Sequence, residues 1–190
     1  MREPRRDNRR VAILISGRGS NMRALIEQAD GYDVALVGSN KPAASGLAWA
    51  EERGIPVWAR DSKGVEKADY DRLLSAALDE HGVGTIALAG FMRILSPWFV
   101  GNWRGRMVNI HPSLLPKYPG LDTHSRALEA KDAISGCSVH IVTEELDAGQ
   151  VLGQAEVPVI PGDTPQSLEQ RVLAAEHRLY PRILSEFVKR

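Results

Sequence analysis

The chain has 190 residues, 43% of them hydrophobic and 25% charged, enough to bury one substantial core. Its 24 basic and 24 acidic side chains cancel, which argues against a nucleic-acid binder that relies on a broad basic surface. A single cysteine, Cys137, excludes an internal disulfide framework and fits a reducing cytoplasm, and no apolar run is long enough to span a membrane.

The first ten residues, MREPRRDNRR, hold five arginines and two acids and lack the apolar stretch of a secretory signal. They read as a disordered basic tail, 1–10, ahead of one domain, 11–190. VAILI (11–15) reads as a buried strand, SGRGSN as a turn and MRALIEQA as a helix. DVALVGS (33–39) is a second strand, followed by a helix over 43–54 closed by Gly54. IPVWAR is a third strand, and KADYDRLLSAALDEHG a helix with apolar residues at helical spacing. GTIALAG (84–90) has the composition of a strand buried on both faces. SPWFVGNW is a short helix with Pro97 in its first turn, and RMVNI a fifth strand.

Strands and helices alternating at this spacing predict an α/β fold, a Rossmann-like, doubly wound, mostly parallel sheet. The ending departs from that rhythm. CSVHIVTEE and VLGQAEVPV are strand patterns joined by LDAGQ with no helix between them, which predicts an antiparallel hairpin at the sheet edge. A long C-terminal helix follows, with Thr164 as N-cap, Pro165 at its first position and Pro181 as a kink.

Three stretches carry candidate chemistry. In LISGRGSNM, Gly17 and Gly19 permit a tight turn with exposed N–H groups, and Ser20 and Asn21 sit where the helix begins, so an anion is favoured there. Met22 stands where a dinucleotide fingerprint needs a third glycine, and the second strand ends in VGSN without a ribose-binding acid, so one phosphate fits better than NAD. A glycine turn required only for packing is the alternative. In MVNIHPSLLPKYPG, Asn109 and His111 lie two apart at the carboxyl end of a parallel strand and point the same way. An amide donor and an imidazole aimed at one point suit acyl transfer, and Pro112, Pro116 and Pro119 stiffen the loop beyond the strand. A pair that merely ends the strand and caps local backbone fits the same spacing. Asp147, in TEELDAGQ with Glu144 and Glu145, could orient His111, although an Asp-Ala-Gly turn is ordinary in a hairpin.

AGFMRILSP mixes Phe91, Met92, Ile94 and Leu95 with Arg93, and suits either a pocket for a flat apolar ligand or the core start of a helix. His111, His124, His140, Asp147 and Glu144 show no metal-binding spacing, so no metal is expected. No Gly-x-Ser-x-Gly elbow supports a serine hydrolase, and Cys137 reads as a packing residue.

Taken together, ISGRGSN, LAGFMRILSP, NIHPSLLPKYPG, SVHIVTEELDAG and AAEHRLYP resemble the phosphoribosylglycinamide formyltransferases, folate-dependent enzymes of purine synthesis, from about Val11 to the C-terminus. The resemblance implies formyl transfer from 10-formyltetrahydrofolate, as co-substrate, to the amine of glycinamide ribonucleotide. It implies catalytic roles for Asn109, His111 and Asp147, and phosphate binding by Gly19, Ser20 and Asn21. Glu176 falls on a residue that contacts the glycinamide. Folate contacts fall on Lys67, Met92, Arg93, Ile94, Leu95, Asn109 and Glu144. Small-molecule partners, no nucleic acid or membrane, a cytoplasmic setting and a homodimer are further expectations. Two departures stand out: Arg18 where relatives often carry an uncharged residue, and Lys67 in place of an arginine. Formyltetrahydrofolate deformylase shares the Asn, His and Asp and is the alternative. Methionyl-tRNA formyltransferase shares the Asn-x-His pair but carries a C-terminal tRNA-binding domain. A non-catalytic nucleotide-binding module is a further alternative, disfavoured by the three polar residues occurring together.

Overall fold

The computed structural model describes residues 7–190. Its elements run in the order β1 (Asp7–Ile15), α1 (Ser20–Glu27), β2 (Asp33–Ser39), α2 (Ser45–Glu51), β3 (Val57–Ala59), α3 (Lys67–Glu80), β4 (Val83–Leu88), α4 (Pro97–Asn102), β5 (Met107–His111), α5 (Thr123–Glu129), β6 (Ile134–Ile141), β7 (Val151–Pro158) and α6 (Pro165–Phe187).

The seven strands form one sheet in the order β3-β2-β1-β4-β5-β6-β7. From β3 to β5 the pairing is parallel, and β6 and β7 each pair antiparallel to the neighbour before them. The expected doubly wound sheet with an edge hairpin is therefore present. Chain order reverses between β1 and β4, and the loops leaving the carboxyl ends of these strands and β5 surround that switch point.

Alternation along β1 builds two cores. Val11, Ile13 and Ile15 join Met22, Leu25, Leu179 and Ile183 on one face, under α1 and α6. Ala12 and Leu14 join Tyr70, Leu74, Phe99 and Trp103 on the other, under α3 and α4. All five residues of the VAILI run are fully buried, as a strand sandwiched between helices requires. On α6 the buried Leu168, Val172, Ala175, Leu179 and Ile183 recur every three or four residues, and the helix carries Pro181 within its 23 residues. Thr164 caps it by accepting from the Ser167 amide, with Pro165 at its start.

The start of the domain differs from expectation. Residues 1–6 of the expected tail lie outside the described residues, but 7–10 are strand rather than disordered tail. Main-chain pairing accounts for this: Asp7 aligns with Val83 and Arg10 with Asp33. The Thr85 hydroxyl donates to the Asn8 carbonyl at 2.8 Å, and the Arg10 guanidinium to the His81 carbonyl at 2.8 and 3.1 Å. These exposed polar residues carry no hydrophobic signal, so their strand is set by neighbours. The helix α5 is likewise absent from the sequence-based expectation. Asp122 stands at its N-cap, but in the left-handed region and with no side-chain cap bond, and the helix has only seven residues, two of them buried, so its apolar periodicity is faint.

Candidate active site

Register places the centre of the site. Antiparallel pairing of β5 with β6 sets Asn109 opposite His140 and His111 opposite Ser138. The Asn109 amide nitrogen lies 3.2 Å from His140 Nε2. His140 Nδ1 lies 3.0 Å from the Ile141 carbonyl, which can only accept, so a ring proton sits on Nδ1. Nε2 stands between the Asn109 amide nitrogen, from which a bare ring nitrogen accepts, and Asp147 Oδ1, to which a ring N–H donates, and either way an Asn109 N–H is left for a ligand.

His111 is 5% exposed. Its Nε2 donates to the Tyr118 carbonyl at 2.8 Å, while Nδ1 faces Asp147 Oδ2 at 3.5 Å. Nε2 is thus committed to the protein, and Nδ1 is the nitrogen shared between Asp147 and the open side of the site. The Tyr118 carbonyl is itself held in place. The Tyr118 hydroxyl donates to Asp132 at 2.8 Å, Lys117 Nζ binds the same carboxylate at 3.0 Å, and Arg126 Nη1 donates to the Pro119 carbonyl at 2.6 Å. These bonds fix the proline-rich loop whose stiffness the sequence implied.

Asp147 arrives from the β6–β7 loop in a left-handed conformation, φ 51°. One oxygen accepts the Gly120 N–H at 2.8 Å, and the other lies 3.5 Å from His140 Nε2. Burial pushes its carboxyl up, but His140, the Gly120 N–H and His111 more than offset this and hold it below the usual carboxylate range. The loop turns back tightly enough to reach the site because position 149 is glycine: a Cβ there would stand 1.7 Å from the Ile141 carbonyl oxygen. Asn109, His111 and Asp147, spread over 39 positions of sequence, therefore meet at one point, with His140 between the first and the last. In the sequence His140 stands out only as a candidate metal ligand. The signal that would have found it is hairpin register, which sets a polar residue of β6 against Asn109.

The second part of the site is the β1–α1 junction. Gly19 precedes α1 with φ 70°, and a Cβ there would press on Met22 at 3.0 Å. The first helical bond at this end runs from Arg23 N to the Gly19 carbonyl, so the amides of Ser20, Asn21 and Met22 have no acceptor within the helix and form an anion-favouring end. The Asn21 side chain points elsewhere: its Nδ2 donates to Glu176 Oε2 at 2.7 Å. Of the residues expected to hold phosphate, Asn21 has its backbone amide to offer and its side chain already engaged. Glu176 is 6% exposed, and burial, eased by the Asn21 bond and added to by Glu169, raises its carboxyl from 4.5 to about 7.

The third part is the loop from Gly90 to Ser96, and its residues split into two groups. Leu95, 9% exposed, belongs to the core beside Leu74 and Phe99, whereas Met92 and Ile94 are 64% and 70% exposed. Leu121 and Leu146 also expose most of their apolar surface, and Leu146 lies beside Gly120. The loop backbone is pinned by Ser16, whose hydroxyl accepts from Met92 N at 2.7 Å and donates to Asn40 Oδ1 at 2.5 Å. Asn40 belongs to the VGSN motif that lacked a ribose-binding acid, and its use is this buried link. Lys67 is the first residue of α3 and is exposed. Glu144 is exposed and pairs loosely with Arg104 at 3.8 Å. Among the described residues, no three His, Cys, Asp or Glu side chains are placed to hold one metal ion, and no helix is long and apolar enough to cross a membrane.

An amide donor, an imidazole and a carboxylate meet at the end of β5, on the sheet edge that also carries the N-terminus of α1 and the exposed Met92 and Ile94. The chain belongs to the formyl transferase family, whose model matches residues 9–184. The phosphoribosylglycinamide formyltransferase of Escherichia coli K12 is 46% identical over 93% of this chain and 86% of that protein. A crystal structure of phosphoribosylglycinamide formyltransferase from Brucella melitensis superposes with a TM-score of 0.89 at 49% identity, covering 95% of each chain. The trifunctional purine biosynthetic protein adenosine-3 of Drosophila melanogaster is 50% identical over 95% of this chain, which spans only 14% of that protein's length.

Proposed function

We propose that this chain transfers the formyl group of 10-formyltetrahydrofolate to the amine of glycinamide ribonucleotide, a step of purine synthesis. The observation that carries the reading is the meeting of Asn109, His111 and Asp147, linked through His140 by contacts of 3.2–3.5 Å, at the carboxyl end of β5. The similarity to phosphoribosylglycinamide formyltransferases along nearly the whole of a bacterial relative supports it.

In this reading the ribonucleotide phosphate rests on the amides of Gly19, Ser20 and Asn21, and the glycinamide end reaches Glu176. The pterin lies against Met92 and Ile94, above buried Leu95, and the cations of Arg93 and Lys67 meet the carboxylates of the folate tail. Glu144 sits on the rim of the same cleft.

The substrate's free amine attacks the formyl carbon and the carbonyl oxygen becomes an oxyanion. The free N–H of Asn109 and the Nδ1–H of a protonated His111 stabilise it, and Asp147 keeps the imidazolium charged and oriented in that role. Collapse breaks the bond to the folate nitrogen. The proton lost by the amine reaches that nitrogen through His111 or a water held by Asp147. Cys137, buried and with its thiol pushed up to about 12 by burial, takes no part and suits a reducing, cytoplasmic setting.

The test is to mix the protein with 10-formyltetrahydrofolate, with and without glycinamide ribonucleotide, and follow loss of the formyl folate. Loss that requires the amine supports transfer. Loss at the same rate without it makes the enzyme a deformylase and overturns the reading.

A further inference from the structure

The loop from Gly90 to Ser96 is anchored on both sides of Arg93 by bonds that do not involve that side chain. Met92 N donates to the Ser16 hydroxyl at 2.7 Å, and Ser96 N donates to the buried Asp71 carboxylate at 2.6 Å. The Arg93 side chain is held separately. Its guanidinium carbon lies 4.4 Å from the ring centre of Tyr70, and its Nε is buried with no hydrogen-bond partner. Tyr70 is fully buried, sits in the first turn of α3 three residues after Lys67, and packs against Trp58 in a T-shaped contact with ring centres 5.7 Å apart. The Tyr70 hydroxyl is also buried without a partner, so what this residue offers its surroundings is the ring face.

A buried guanidinium nitrogen with no acceptor is costly. It is tolerated where an aromatic face supplies the missing favourable field, and such a contact is strongest when desolvated, as here. Stacking on one plane also orients the fork: with Nε packed inward, the two terminal nitrogens are the part of Arg93 left to face a ligand. A planar fork held in one orientation suits bidentate capture of a carboxylate.

We propose that Tyr70 is a positioning residue for the folate co-substrate, acting through Arg93: its ring holds the guanidinium ready for a tail carboxylate. This rests on the reading of the Gly90–Ser96 loop as a folate contact. Tyr70 touches no substrate and leaves the reacting carbon alone, so it governs KM for the tailed co-substrate and not kcat.

The experiment compares two formyl donors, 10-formyltetrahydrofolate and its 10-formyltetrahydropteroate analogue without the glutamate, on the full chain and three variants. Tyr70→Leu removes the ring, and the expected result is a KM for the tailed donor raised on the order of tenfold, with kcat within about twofold and KM for the tailless donor unchanged. Tyr70→Phe keeps the ring face and loses only an unpartnered hydroxyl, so it restores the parental KM. Arg93→Ala gives the same donor-selective loss as Tyr70→Leu. If Arg93→Ala is selective and Tyr70→Leu is not, Arg93 is placed by something else and the positioning role is wrong. If Tyr70→Leu raises KM for both donors alike, the effect is general damage and the proposal also fails. If Arg93→Ala itself does not discriminate the donors, the folate reading of the loop falls first and the role of Tyr70 with it.

Discussion

Asn109 and His140 face each other across a strand ladder that fixes their pairing to the residue, whereas Met92 and Ile94 hang from a loop tied down mainly through its backbone. The floor of the site between β5 and β6 is nearly closed to solvent, and its polar groups are bonded to one another or to carbonyls. The rim exposes most of its large side chains. A group on the floor acts through orientation in a setting of weak screening, so its loss is felt in the chemical step. A group on the rim acts through contact area and screened charge, so its loss is felt in binding. Floor substitutions should therefore lower kcat with little change in KM, and rim substitutions the reverse.

The sharpest test of this division is Asn109→Ala. It deletes the one floor donor with an N–H free for the oxyanion, and the expected loss in kcat is about 100- to 1000-fold, with the KM of either substrate nearly unchanged. Near-normal turnover of a folded variant would remove Asn109 from the chemistry.

Glu176 joins the floor's burial to the β1–α1 junction, through its bond from Asn21. Below pH 4.5 it is protonated whether the chain is folded or not. Between 4.5 and its folded value of about 7 the unfolded chain gives up the proton while the folded chain keeps it, so stability falls as pH rises. Above 7 the full cost, about 3 kcal/mol, is present. Glu176→Gln keeps an acceptor for Asn21 Nδ2 and offers a donor to the unpartnered Asn21 Oδ1. Urea unfolding should find this variant more stable than the parent at pH 8 and equal to it near pH 4. Identical pH profiles for the two chains would show that burial does not raise this carboxyl.

His140→Ala tests the floor from one residue further back. The ring orients the Asn109 amide and flanks Asp147 without reaching the reacting carbon, so its loss misplaces two groups and removes neither. A drop in kcat of about 10- to 100-fold is expected, smaller than for Asn109→Ala. Because part of the His140 effect runs through the same amide, the double variant should lose less than the two single losses multiplied together. Additive losses would mean that His140 works independently.

How far the sequence reveals this site obeys the same division. The parallel strands are legible because burial on both faces demands continuous apolar runs such as VAILI. Asn109, His111 and the β1–α1 turn are legible because such chemistry sits at strand ends. His140 is not, since its role depends on which residue of β6 stands opposite Asn109, and no local pattern encodes register. Nor is the split within Met92–Leu95 legible. Four successive residues of a loop, three of them apolar, do not say which one turns into the core. The use of Asn40 and Ser16 as a buried link, and of 7–10 as strand, also depends on partners far away in sequence.

The smallest effect belongs to Lys67, an exposed cation among the expected folate contacts. It stands at the start of α3, where the helix dipole does not favour a cation, and nothing buries it. A lysine meets a carboxylate as a point charge, while an arginine offers a planar fork that binds both oxygens. In water such a pair contributes about 0.2–1 kcal/mol, so Lys67→Arg should lower KM for the tailed formyl folate by no more than about fivefold. The gain should leave kcat untouched and shrink as salt rises from low to physiological strength, since an exposed pair is screened over about 8–10 Å. A change in kcat would place Lys67 among the floor groups, and a gain insensitive to salt would mean that the contact is buried when folate is bound, moving this part of the rim to the other side of the comparison.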